Sequence, residues 1–235
     1  MPNEPLPSDE SKTDTTRQRL MTSARLLFSK YGVDGVPVRD IVAAAGARNG
    51  ASIHYYFGTK EALIQELVAE GARLINEHRN AMLDEAEASP RSLTLRRVME
   101  ILIVSSFPAS ASEKLAREGY LRFIMVLQLT HRQLFIQALQ NRWNSGYMRC
   151  LDHFRRFLAP KLPAPLVEQR LRLMALCLGA TLSSREAALE SKDASQRLWG
   201  MPYDVDNLVD TICGVLQQPP ARQTLAALEQ AGRPR

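Results

Sequence analysis

Apolar residues recur along most of the chain at spacings of three and four, and that period admits little except helices. The first instance sets the pattern. Leu20, Ala24, Leu27, Phe28 and Tyr31 share one stripe of a helix beginning near Thr15, and Gly32 ends it. Arg17, Arg19, Arg25 and Lys30 lie between the stripe residues, facing water or a partner. Aromatic residues make up only 6% of the chain, and long β-branched runs are rare. The expectation is an all-α protein.

Pro37 suits the opening of a second helix, whose short apolar face is Val38, Ile41, Val42 and Ala45, closed by Gly46. A third short helix takes Asn49 as its cap, with Ile53, Tyr56 and Phe57 turned inward. Gly58 breaks it, Thr59 caps the next, and one long helix runs from Lys60 to about Ala88. Further helices are expected at Ser92–Phe107, Glu113–Leu129, His131–Leu158 with a kink at Gly146, Pro165–Leu189 and Val205–Gln217. This divides the chain into a disordered, Pro- and acid-rich leader (1–13), a small head (14–60), a large helical body (61–218) and a weak tail (219–235).

Enzyme chemistry finds no support. There is no GxGxxG, Walker, GxSxG, HExxH or CxxC pattern, and the acids fall at helix-surface spacing. The four histidines lie far apart, with no His or Cys three or four residues on to complete a metal pair, so neither metal nor cofactor is expected. The odd number of well-separated cysteines suggests reduced thiols in the cytoplasm, and no stretch reaches the ~20 apolar residues of a membrane span.

The net charge of +5 is concentrated. Residues 12–60 carry eight Lys and Arg against three acids, while the rest of the body is nearly balanced. A basic head suggests a polyanionic partner, although a solvated basic face fits the surplus equally well. The stretch "GARNGASIHYYFGTK" (46–60) sharpens the choice. A phosphate cradle would need a preceding strand, which is absent from the pattern. A turn at Gly46 between two short helices makes a helix-turn-helix, whose second helix is polar and small on its outer side and can enter a major groove.

These residues carry a resemblance. The segment "LMTSARLLFSKYGVDGVPVRDIVAAAGARNGASIHYYFGTKEAL" (20–63) is similar to the N-terminal domain of the TetR/AcrR family of bacterial regulators. The resemblance implies an all-helical homodimer acting as a transcriptional regulator: a repressor released from double-stranded, near-palindromic operator DNA by a small, mostly hydrophobic ligand. Carried onto this chain, it places Asn49, Gly50, Ala51, Ser52 and His54 on the recognition face. Tyr55 and Lys60 match phosphate-holding positions, with Arg39 at the start of the second helix nearby. Between Gly46 and Phe57 the chain has one residue more than the commonest family pattern, near Ala47–Arg48, which brings Arg48 toward a phosphate or base edge. The competing reading is a helical dimeric protein-interaction module without sequence-specific DNA binding.

In the body, Leu171, Met174, Ala175 and Leu178 form a wide apolar face, and Leu208, Ile212 and Val215 recur at helical spacing. These are the expected dimer interface. Phe107, Phe123, Met125, Trp143 and Tyr147 supply apolar surface for a ligand, with Gln128 and His131 to orient a polar end.

Overall fold

A computed structural model describes residues 9–47, 51–89, 91–107, 119–139, 142–190 and 199–231, with side chains from Thr15 onward. Among the described residues all regular elements are helices: α1 (Asp9–Tyr31), α2 (Val38–Ala44), α3 (Ala51–Phe57), α4 (Lys60–Ala88), α5 (Leu95–Val104), α6 (Tyr120–Thr130), α7 (Arg132–Leu139), α8 (Ser145–Leu158), α9 (Ala164–Glu190), α10 (Asp204–Gln217) and α11 (Arg222–Ala231). Helix α1 starts at Asp9, ahead of Thr15, so residues 9–13 of the expected leader are helical. The expected start at Glu113 lies outside the described residues. The expected continuous helix at 131–158 is two helices, and Gly146 belongs to the first turn of α8. There it permits a close contact: a Cβ would meet the Arg79 stem at 3.2–3.3 Å.

Two apolar cores organise the chain. The head core joins Leu20, Ala24 and Phe28 of α1, Ile41 and Val42 of α2 and Ile53 of α3 to Leu63–Val68 of α4 and to Tyr120, Phe123 and Leu127 of α6. Phe28 and Phe123 stack with ring centroids 5.9 Å apart, both fully buried, each worth roughly 1.5–3 kcal/mol on burial. The body core takes Leu83 and Ala86 of α4 with the inward faces of α5, α8, α9 and α10. Helix α4 therefore begins in one core and ends in the other.

Arg25, expected to face outward, is fully buried and pairs with Glu70, tying α1 to α4. Helix α6 is held at both sides of its first turn. The Tyr120 hydroxyl donates to Val68 O of α4 at 3.0 Å. The buried Glu186 carboxylate of α9 accepts from the Leu121 and Arg122 backbone N–H groups at 3.0 and 2.9 Å. A carboxylate at a helix N-terminus satisfies orphan donors and answers the positive end of the dipole. Burial raises the Glu186 pKa, and those N–H bonds and Arg122 oppose the rise.

The expected dimer face is spent internally. Leu171, Met174, Leu178, Leu208 and Ile212 are 0–6% exposed in the chain's own body core, while Ala175 and Val215 are half-buried. Their wide apolar faces exist because α9 and α10 pack against α5, α8 and each other. The outward stripe of α9 is instead Leu173, Leu176, Cys177 and Ala180, with Leu173 and Leu176 47% and 50% exposed.

A Cβ on Gly71 would lie 2.3 Å from two Tyr120 ring atoms, and the hydroxyl bond to Val68 keeps the ring from yielding. Alanine gains ~1 kcal/mol in helix propensity, but overpacking costs ~1–3 kcal/mol. Gly71→Ala should therefore lower the urea midpoint at an unchanged m-value; a midpoint equal to or above the parent's would show that α6 can move away from α4.

Candidate nucleic-acid interface

The turn after α2 is built by its backbone. Gly46, at φ +62°, sits just past the Ala45 cap; Ala47 N donates to Val42 O and Gly46 N to Ala43 O, both at 3.0 Å. This paired closure of a helix C-terminus needs a left-handed residue, which glycine supplies without a Cβ clash. Ile53, 3% exposed, anchors α3 in the head core, and the residues on either side then point outward.

Of the predicted recognition residues, Arg48, Asn49 and Gly50 lie outside the described residues. Ala51 and His54 are exposed, Ser52 is half-buried, and Tyr55 is 76% exposed. Tyr55 meets Tyr56 edge to face at 4.8 Å, which positions its ring at the outer end of α3. His54 Nδ1 lies 2.8 Å from Gly58 O, and because a carbonyl only accepts, Nδ1 carries the hydrogen. Nε2 is then the edge turned to a partner, an acceptor on the neutral ring. Arg39 is 86% exposed at the start of α2, beside Asp40 at 3.4 Å.

Lys60, matched by the resemblance to a phosphate-holding position, makes contacts within the head. Its ammonium donates to Val33 O and lies 5.6 Å from the centroid of the Phe28 ring. A lysine at a helix start opposes the dipole, and this internal carbonyl explains its presence there. Thr59 caps the same helix, its hydroxyl accepting from Ala62 N at 3.0 Å. Arg17 pairs with Glu66 and stacks over Phe57 at 5.3 Å, fastening α1 to α3 and α4.

The seven residues expected to line a ligand site are not gathered in one place. Phe123 is sealed in the head core, whereas Phe107 and Tyr147 pack on the body core. Met125 is half-buried, its sulfur 2.7 Å from where a Cβ on Gly179 would fall. Gln128 is half-buried, His131 pairs with Asp34 at 3.2 Å, and the Trp143 ring carries Arg142 at 5.0 Å. Sequence reasoning missed Arg25 and Arg79, both buried. The available signal was spacing: Arg25 stands with Met21 and Phe28, and Arg79 with Leu83 and Ala86, on inward helix faces.

Residues 20–67 match the family model described as bacterial regulatory proteins, tetR family, so the chain carries the N-terminal domain of that family. An uncharacterized HTH-type transcriptional regulator of Mycobacterium tuberculosis is 32% identical over 71 residues, 30% of this chain and 34% of that protein. The HTH-type transcriptional repressor AcnR of Corynebacterium glutamicum is 36% identical over 66 residues, 28% of this chain and 35% of that protein. The matches thus span about a third of the length of these curated relatives.

Solved structures extend the likeness of fold over most of the chain. A putative tetR family transcription regulator from Shewanella sp. PV-4 aligns with a TM-score of 0.55 at 14% identity, over 84% of this chain and 95% of that one. The fatty acid degradation regulator FadR from Bacillus halodurans aligns at 0.52 and 17%, over 88% and 97%. No helix among the described residues is long and apolar enough to cross a membrane.

The turn geometry yields a direct check. Gly46→Ala must hold a Cβ at φ +62°, a cost of about 1 kcal/mol or more. Thermal unfolding should show a lowered Tm, and an unchanged Tm would mean that the turn tolerates the side chain.

Proposed function

We propose that the chain is a DNA-binding transcriptional regulator, a homodimeric repressor released from its operator by a small molecule. The observation that carries this reading is the presentation of α3: one buried anchor, Ile53, and an outward face of Ala51, His54 and Tyr55 behind a glycine-closed turn. In a major groove His54 Nε2 and the residues before it would read base edges, while Tyr55 and Arg39 hold phosphates on either side. Lys60 serves that arrangement indirectly, by fixing the start of α4 against the α1–α2 loop. The family match over residues 20–67 and the repressor among its relatives support the same reading.

Dimerisation is assigned to the outward stripe of α9, Leu173, Leu176, Cys177 and Ala180, which the body core leaves uncovered. A two-fold dimer would set its two heads on successive major grooves, so the operator is expected to be a near-palindrome.

Binding to duplex DNA from the chain's own upstream region, followed by fluorescence anisotropy, tests the reading. With ~6–10 phosphate contacts, affinity should fall ~10³–10⁵-fold between 50 and 200 mM salt. Tyr55→Phe and Arg39→Ala should weaken all sequences alike, whereas His54→Ala should alter preference by ~1–3 kcal/mol at its position. A uniform loss for His54→Ala across a randomised library would remove its base-reading role. For the dimer, Leu173→Glu with Leu176→Glu should give folded monomers by light scattering that lose operator binding; a dimer surviving both charges would place the interface elsewhere. Leu178→Glu, a core change, should unfold the chain instead.

A further inference from the structure

Arg79 projects from α4 into the body and is only 7% exposed, with Gly146 of α8 against its stem. Nε donates to Ser105 Oγ at 2.8 Å, and Nη2 to Ser106 Oγ at 2.9 Å and Leu102 O at 3.3 Å. All three acceptors are neutral. Among the described residues no carboxylate lies within ion-pair distance of this guanidinium. Nη1 donates to none of them, yet it is not sealed from solvent.

The surroundings do not answer the charge. Burial pushes the Cys150 thiol up to about 11 and raises the Tyr147 phenol, so both stay neutral near pH 7. Burial also lowers the pKa of Arg79 itself. A second guanidinium, Arg185 of α9, lies 4.2 Å over the ring of Phe107, the residue after Ser106. Asp204, whose charge reaches Arg185, is committed to the backbone N–H groups of Gly200 and Met201. Two cations thus flank residues 105–107 without an acid between them among the described residues. The carbonyl end of α5 offsets part of this, but a guanidinium so largely buried, with no carboxylate beside it, keeps a desolvation cost that three neutral hydrogen bonds answer only in part.

We propose that Arg79 is the anion-binding residue of an effector site in the body, and that its ligand is a small carboxylic acid. The carboxylate meets Nη1, and the apolar remainder lies along Phe107 and Tyr147 at the half-buried rim of the body core. One open guanidinium nitrogen in apolar surroundings suits a singly charged carboxylate. The inference rests on the regulator reading for its consequence: a ligand drawing on Arg79 acts directly on α4, the helix that starts in the head. Its test does not depend on DNA.

Thermal unfolding of the full chain is measured with straight-chain carboxylates from acetate to decanoate, each beside the primary amide of the same length. Carboxylates of fitting length should raise Tm by about 3–6 °C at tenfold excess over Kd, and their amides should not. Arg79→Gln should abolish the difference, and Arg79→Lys, which keeps the charge but loses the fork, should reduce it. If no acid in the series exceeds its amide, Arg79 is only the cap of α5 and the proposal fails. It fails equally if a folded Arg79→Gln keeps the acid's effect. Should Arg79→Gln not fold, the acid–amide comparison on the unaltered chain still decides. A chain that binds acids but no duplex would sink the regulator reading and leave this site standing.

Discussion

The head has no core of its own. Its three helices bury Leu20, Phe28, Ile41 and Ile53 only because Leu63, Leu67 and Phe123 complete the core from α4 and α6. Helices of seven residues, such as α2 and α3, are far below the length at which a helix persists alone in water. Their shape is thus a tertiary property, and whatever displaces α4 or α6 is felt at the outward face of α3.

Two contacts carry that dependence through α6. At its N-terminus the Glu186 carboxylate binds it to α9, the helix whose outer stripe is assigned to the dimer. On its flank Phe123 stacks on Phe28 of α1. A chain of packed and hydrogen-bonded groups therefore runs from the assigned interface to the head without passing along α4. Two routes converge on one small core, so a displacement of either α4 or α6 reaches the orientation of α3.

Much of the fold was legible because helical period is local. The stripe from Leu20 to Phe28, the stop at Gly32 and the turn at Gly46 follow from residues a few positions apart, whereas Tyr31, expected to continue the stripe, is 56% exposed. What needed tertiary knowledge was misplaced. Leu171, Met174 and Leu178 read as an outer face because nothing local says that α8 and α10 cover them. Lys60 resembled a phosphate holder because the Val33 carbonyl that takes its ammonium lies 27 residues away. Arg79 stands in a polar run beside Glu77 and His78, where nothing local marks it, and only burial sets it apart. In the recognition segment the pattern of Ile53 in, His54 and Tyr55 out was readable, since alternating sides of a single helical turn were enough.

The far half of α4 is joined to α8 by a run of polar contacts. Asn76 Oδ1 takes Gly146 N at 2.8 Å, Asn80 Oδ1 takes Arg149 at 2.8 Å, Asp84 takes Arg149 at 2.8 Å, and Glu87 takes Arg149 at 2.9 Å and His153 at 2.8 Å. Apolar surfaces can slide past one another at small cost, but hydrogen bonds of fixed direction cannot be shifted by one residue without all being broken together. The ladder therefore opposes axial translation of α4 along α8. A pivot at one end of a 29-residue rod, about 43 Å long at 1.5 Å per residue, turns a small angular change beside Arg79 into a displacement several times larger at Lys60.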